Sequence, residues 1–242
     1  MAEGIAIALQ GCMSMPAFWR DRVRYADRRE AGRLLAARLR DYAERDDVIV
    51  LGLPRGGIPV AYEVALALHA PLDVFVVRKL GLPGHPEYAM GAIASGGVRV
   101  LNDDVIRQLH VPTSAVDAIA LAEQRELDRR ERAYRGARHA VRVEGRIVIL
   151  VDDGLATGST MRAAVLAIRR QLPSQIVVAV PIGAPETCRA MDEVADEVVC
   201  ARMPEPFSAV GLWYENFEQT TDEEVRQLLA ASSTGAPITR SA

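Results

Sequence analysis

The chain alternates between two hydrophobic rhythms. Short runs of aliphatic and β-branched residues recur at VIVLGL (48–53), LDVFVV (72–77), RIVILVDD (146–153), QIVVAVPIG (175–183) and EVVCA (197–201). Each is apolar without polar alternation, the mark of a strand covered on both faces in a parallel sheet. Between them the period lengthens. Ala31, Leu34, Leu35, Ala36, Leu39 and Tyr42 fall on one stripe, which predicts an amphipathic helix over 27–45. Further helices are predicted over 58–70, over the Arg- and Glu-rich stretch 113–138, over 158–172 and over 185–193. Strand, helix, strand, helix at these lengths predicts an α/β fold: a central parallel sheet of about five strands with helices on both faces, joined by right-handed crossovers.

The stretch RKLGLPGHPEYAMG (78–91) carries too many glycines and prolines for regular structure, whereas AIAS and VRVL predict a short hairpin or a pair of edge strands. With 242 residues, half of them apolar, one sizeable domain over 21–231 is expected, preceded by an N-terminal extension (1–20) and followed by a disordered small-residue tail (232–242). The first fifteen residues, mildly apolar but too short to span a bilayer and with no positive region ahead of them, read as poorly ordered and as lying upstream of the true start. A net charge of -3 provides no global basic field, so neither nucleic acid nor a membrane surface is an expected partner, and any anion must be bound locally. Eight arginines face five acids between Glu123 and Arg146, but their alternation predicts a solvated, ion-paired helix face. Cys12, Cys188 and Cys200 are widely spaced and read as reduced thiols of a cytoplasmic chain. Of the 29 basic residues, 28 are arginines and one is lysine, Lys79, which marks a place for a compact ammonium on a flexible stem.

The strongest apolar run ends in chemistry. ILVDDGLATGSTMRAA (149–164) sets Asp152 and Asp153 where the strand stops, then small and hydroxylated residues that open a helix. In an open parallel sheet, ligands sit beyond the carboxyl ends of the strands. Two neighbouring carboxylates there need hydroxyls, a metal or water, because unpartnered they suffer desolvation and mutual repulsion. Side by side they match the two donors of a vicinal diol such as a ribose. Behind them, Ala156, Thr157, Gly158, Ser159 and Thr160 offer backbone N–H groups and hydroxyls that can surround a phosphate at the positive end of a helix. The order describes a sugar phosphate. Neither GxxxxGK[ST] nor a GxGxxG after a strand occurs, so the usual nucleotide loops do not compete.

VILVDDGLATGST resembles the phosphoribosyl pyrophosphate (PRPP) signature of type I phosphoribosyltransferases, two acids after a hydrophobic strand and then a TGxT-type loop. From about 20 to 230 the chain is similar to bacterial phosphoribosyltransferase-domain proteins of unassigned substrate. The resemblance implies the type I phosphoribosyltransferase fold, a five-stranded core with a small hood drawn partly from 202–220. It implies a Mg²⁺-dependent enzyme that transfers the phosphoribosyl group of PRPP to a nitrogen acceptor, a nucleobase, and releases pyrophosphate. A PRPP-binding regulator without turnover and a hydrolase using water are the alternatives. Asp152 and Asp153 would hold the ribose diol and meet Mg²⁺ only through PRPP or water, and a homodimer is the common arrangement.

The same resemblance distributes further roles. LPRGG (53–57) stands where the family keeps its pyrophosphate loop, which assigns Arg55 and Gly56. A similar RK dipeptide in orotate enzymes assigns Arg78 and Lys79 to pyrophosphate, with Lys79 following the group as it leaves. Residues 81–91 correspond to a loop that closes over the reacting centre. Hypoxanthine and guanine enzymes carry an acid where Ala156 stands here; adenine enzymes have alanine there and a loop glutamate, which makes Glu87 the candidate acid/base. PFSAVGLWYENF (206–217) is similar to the base-binding stretch of the hypoxanthine/guanine enzymes. Carried over, Phe207 stacks on a flat base, Val210 reads its edge, Trp213 completes the pocket and Glu215 approaches the metal or the ribose. A purely structural role for Phe207, Trp213, Tyr214 and Phe217 as hood core is equally open.

Overall fold

In the computed structural model, which describes residues 24–234 except 137 and 139, the two rhythms resolve into two sheets and seven α-helices among the described residues. The order is α1 (Arg28–Ala36), a 3-10 turn (Arg40–Tyr42), β1 (Val48–Gly52), α2 (Gly57–Leu68), β2 (Leu72–Val74), β3 (Val77–Leu82), β4 (His85–Ala94), β5 (Val98–Leu101), α3 (Asp103–Gln108) and α4 (Thr113–Arg135). It continues with β6 (Ile147–Val151), α5 (Ser159–Arg169), β7 (Gln175–Ile182), α6 (Pro185–Met191), β8 (Glu197–Arg202), a 3-10 turn (Val210–Trp213) and α7 (Asp222–Thr234). The main sheet is parallel throughout, in the order β2-β1-β6-β7-β8.

Successive strand residues serve opposite cores. Val48, Val50, Ile147, Ile149, Val151 and Val177 pack with α2, α4 and α7 residues, while Ile49, Leu51, Val148, Leu150, Ile176 and Val178 pack with α5 and α6 residues. A buried aliphatic side chain contributes roughly 1.5–3 kcal/mol, and a one-residue slip would exchange the two sets. The register is thereby fixed, and with it which residues end at the sheet's carboxyl edge.

Several expectations change. The predicted helix over 27–45 stops at Ala36 and tightens into the 3-10 turn, where Tyr42 reaches into the core. The run 72–77 divides: β2 ends at Val74, the Val76 N–H donates to Ser95 Oγ, and Val77 opens a separate antiparallel sheet, β3-β4-β5. Residues 78–91, expected to be irregular, therefore form most of a hairpin, with register shifts between Leu80 and Leu82 that blur the alternation a strand would show. The expected AIAS–VRVL hairpin is present as β4–β5. Helices α3 and α7 were not expected. In α7, Val225, Leu228 and Leu229 are buried at helical spacing behind a Thr221 cap, so the tail predicted from 232 begins inside a helix that reaches Thr234. The extension 1–20 and residues 235–242 lie outside the described residues.

On α4, Arg129, Arg130 and Arg135 pair with acids, in line with the alternation; Arg129 and Arg130 both donate to Glu126 and hold its carboxyl down at about 2. Cys188 and Cys200 are joined in a disulfide between α6 and β8, which corrects the expectation of reduced thiols and withdraws the argument for a reducing compartment; Cys12 lies outside the described residues. Their spacing of 12 residues carries no motif, and only the packing of α6 against β8 brings them together. No helix among the described residues is long and apolar enough to cross a membrane.

Candidate functional site

β6 is the middle strand of the main sheet, and Asp152 and Asp153 follow its last residue at the carboxyl edge. Each carboxylate has one oxygen engaged. Asp152 Oδ1 accepts from the Asp153 N–H at 2.9 Å, and Asp153 Oδ2 accepts from Arg28 Nε at 2.8 Å. The remaining oxygen of each takes no hydrogen bond from the described residues. Both acids are half-buried, with 17% of the Asp153 side chain exposed. Burial raises both pKa values; repulsion from Asp153 adds to the rise at Asp152, and the Arg28 guanidinium opposes it at Asp153. Two acids crowded at one edge, each with an oxygen left over, suit hydrogen-bond donors or a cation.

The loop after β1 lies directly against this pair. A Cβ on Gly56 would sit 2.0 Å from Asp153 Oδ2, and one on Gly57 would come 3.0 Å from Asp152 Oδ1. Only glycine allows that approach. The Arg55 and Gly56 N–H groups precede the first turn of α2 and donate to no described residue. Arg55 is half-exposed, with Nη1 3.8 Å from Asp222 on α7, so the ion pair leaves it available.

On the other side, Leu155 is tied to β7 by its N–H to Ile182 O, and the chain then turns through Ala156–Thr160 into α5. Gly158 adopts a left-handed conformation (φ 70°) and packs under Thr187, whose hydroxyl donates to the Ala156 carbonyl at 2.6 Å. Thr157, Ser159 and Thr160 are exposed, and the N–H groups of 156–160 make no bond to described residues. The result is a fixed turn with free donors at the positive end of an eleven-residue helix.

The hood closes over the acids from the third side. Tyr25 and Ala26 hydrogen-bond to the backbone of Trp213, Glu215 and Asn216, and Tyr214 donates from its hydroxyl to the Asp153 carbonyl at 2.6 Å. Tyr25, Ala31, Ile182, Trp213 and Tyr214 form its core, with Phe207, Val210 and Phe217 partly buried on it. Trp213 is buried in this core, while Phe207 and Val210 retain exposed surface; Val210 lies against Gly154, immediately after the acids. Glu215 is exposed.

Arg78 and Lys79 belong to the second sheet. The expectation that they end a strand of the main sheet is corrected by the division at Val76: both lie on β3, and Arg78 Nε donates to Glu123 on α4 at 2.6 Å. Lys79 makes no ion pair among the described residues and lines a cleft of about 620 Å³ with Arg107, Ser159, Arg162 and Leu166, so it faces the first turn of α5. Glu87 is in β4, and its side chain lies outside what the structure describes.

A family model described as phosphoribosyl transferase domain matches residues 87–214, just over half of the chain. Among solved structures, TT1426 from Thermus thermophilus is 43% identical, with a TM-score of 0.77, covering 85% of this chain and 97% of that one. The chain belongs to the phosphoribosyl transferase family. A Mycobacterium tuberculosis protein with a provisional phosphoribosyl transferase name is 51% identical over 201 residues, 83% of this chain but 45% of that protein, so the chain spans less than half the length of this relative. A shorter likeness, 36% over 63 residues covering 26% of this chain and 35% of the relative, is to the bifunctional protein PyrR of Haemophilus ducreyi.

Within that family frame, Arg28 is the residue the sequence did not point to. It opens α1 in a chain with 28 arginines, where one more carries no local signal. The Asp27 cap directly before it, which accepts from the Glu30 N–H, fixes where the helix starts and hence where Arg28 points.

Proposed function

We propose that the chain is a Mg²⁺-dependent phosphoribosyltransferase domain that moves the 5-phosphoribosyl group of PRPP onto a nitrogen acceptor, a nucleobase, with release of pyrophosphate. The observation that carries this reading is the pair of unengaged oxygens, one on Asp152 and one on Asp153, between a turn with free donors at 156–160 and the glycine loop at 55–57. Two acceptors suit two hydroxyls of a ribose. The 156–160 turn suits its 5′-phosphate, and the Arg55 and Gly56 N–H groups, with the Arg55 side chain, suit pyrophosphate.

In this mechanism the nitrogen attacks C1 as pyrophosphate departs, and no covalent enzyme intermediate forms. The chain's work is to hold both ends of PRPP still and to place donors where charge develops. Among the described residues no cluster of three or more His, Cys, Asp or Glu could hold a metal, so the fitting arrangement is an ion brought by the phosphates, met by Asp152 and Asp153 through PRPP or water. Bound there, Mg²⁺ would neutralise the leaving pyrophosphate. Lys79, without an ion pair among the described residues and facing α5, is the mobile cation for the phosphates, whereas Arg78 is held by Glu123. Phe207 and Val210 would border the acceptor, and Glu87 remains the candidate acid/base. The domain is taken to run from 21 through the end of α7 at Thr234.

Calorimetric titration with PRPP and Mg²⁺, followed by a pyrophosphate-release assay over a panel of bases and amines, tests both parts. Binding with release dependent on one acceptor is expected. Absence of PRPP binding sinks the reading; binding without release in any mixture leaves the regulator, and release without acceptor the hydrolase.

A further inference from the structure

Arg28 stands where three parts of the site meet. Its Nε donates to Asp153 Oδ2, its Nη1 donates to the Glu218 carbonyl at 2.7 Å, and its guanidinium lies over the Phe217 ring, 3.9 Å from the centroid. Phe217 in turn lies against Tyr214, at 5.0 Å between ring centroids, and Tyr214 donates to the Asp153 carbonyl. Only 11% of the Arg28 side chain reaches solvent. Its backbone belongs to the segment that Tyr25 and Ala26 fasten to the hood, and the missing Cβ of Gly56 leaves room beside Nε, which such an atom would approach to 3.2 Å.

We propose that Arg28 is a positioning residue of the phosphoribosyl site: by holding one oxygen of Asp153 it turns the other toward the ribose diol, and it ties that orientation to the hood through Phe217. This rests on the PRPP reading above. A planar guanidinium can donate to a carboxylate, donate to a carbonyl and cover a ring at once, which an ammonium cannot do. The groups around Asp153 are Asp152 from its own turn, the uncharged Gly56 from the loop after β1 and Arg28 from α1 at its carboxylate, and Tyr214 from the hood at its main-chain carbonyl. Tyr214 is held neutral by burial and by the acids beside it. Arg28 is thus the one cation in direct contact with the pair among the described residues.

The sign of the consequence is fixed. A carboxylate that loses its cation protonates at higher pH, and a protonated Asp153 presents a hydroxyl where the diol needs an acceptor. The test is calorimetric titration of the full chain with PRPP and Mg²⁺ from pH 5 to 8.5, for wild type, Arg28→Gln and Arg28→Lys. Arg33→Gln, which alters a more exposed arginine of the same helix, is the control. Expected is a loss of affinity for Arg28→Gln of about tenfold or more at pH 7, with the midpoint of its pH profile moved upward. Arg28→Lys should restore the midpoint but only part of the affinity, and it serves alone should the Gln variant not fold. A folded Arg28→Gln protein with wild-type affinity and midpoint, or a Lys variant that leaves the midpoint as high as Gln does, overturns the positioning role while PRPP binding by the wild type stands. Failure of the wild type to bind PRPP overturns the reading beneath it.

Discussion

The turn after β6 and the β3–β4 hairpin carry the charged residues that the sequence brings forward, and the fold treats them differently. Asp152 and Asp153 follow the central strand of a sheet packed on both faces, and their neighbours are fixed by that packing: Gly56 from the loop after β1, Arg28 from α1, Tyr214 from the hood, Leu155 bonded to β7. Arg78 and Lys79 lie on a small antiparallel sheet with one charge spent on α4 and the other exposed over a cleft. A short motif is readable from sequence when its geometry is made within the motif. The acids and their turn are contiguous, so strand, turn and helix dictate their arrangement. The dipeptide's position depends on where β2 lets go of the main sheet, which Ser95 decides nineteen residues away.

That difference is tested most severely by Asp152→Asn with Asp153→Asn. If the acids form one seat for a diol, the double variant should lose at least ~100-fold in PRPP affinity, about 2.7 kcal/mol, measured by titration with Mg²⁺. A loss below tenfold would place the ribose elsewhere.

Gly56→Ala ranks next. A Cβ 2.0 Å from Asp153 Oδ2 has to displace the carboxylate, the Arg28 contact or the loop, and overpacking of this kind costs roughly 1–3 kcal/mol. Weakening of PRPP binding by about 10- to 100-fold is expected, with the fold retained by circular dichroism. Unchanged affinity would show that the loop after β1 does not touch the ligand's surroundings.

The hairpin should answer in rate rather than in affinity. Lys79→Ala is expected to lower turnover about tenfold, less than the roughly 100-fold typical of a fixed donor, with the PRPP dissociation constant within threefold of wild type. Arg78→Ala, which breaks a partly exposed pair with Glu123, should change either quantity by less than about twofold. If Lys79→Ala instead weakens binding as much as Gly56→Ala does, the hairpin belongs to the ground-state site together with the turn after β6.

How much of all this the sequence discloses depends on range. Strands β1, β6 and β7 are legible because each is buried on both faces and so continuously apolar. Helix α7 was also written there, in Val225, Leu228 and Leu229 behind Thr221, and the small residues after them obscured it. The β3–β4 hairpin was hidden by its own bulges. Arg28 and the Cys188–Cys200 pair had no signal at all, since each acquires its partner only across the folded chain. Long-range partners are what a single sequence hides, and here they include the cation paired with Asp153.

The smallest expected effect is on stability, and it runs opposite to function. Burial and repulsion raise the acids' pKa values in the folded chain above the ordinary carboxylate value of about 3.9. Between those two values the folded chain binds more protons than the unfolded one, so stability falls as pH rises through that window and the full cost is present above it. Asp152→Asn removes the charge that is buried without a salt-bridge partner among the described residues and relieves Asp153 of its neighbour. The variant should therefore melt higher than wild type at pH 7.5; a gain of about 1 kcal/mol shows as roughly 2–4 °C in a chain of this size. The gain should vanish when both are melted at a pH below the acids' ordinary range. A variant that melts lower at both pH values would mean that the Asp152 carboxylate holds the turn together and is not a charge kept there, against stability, for a ligand.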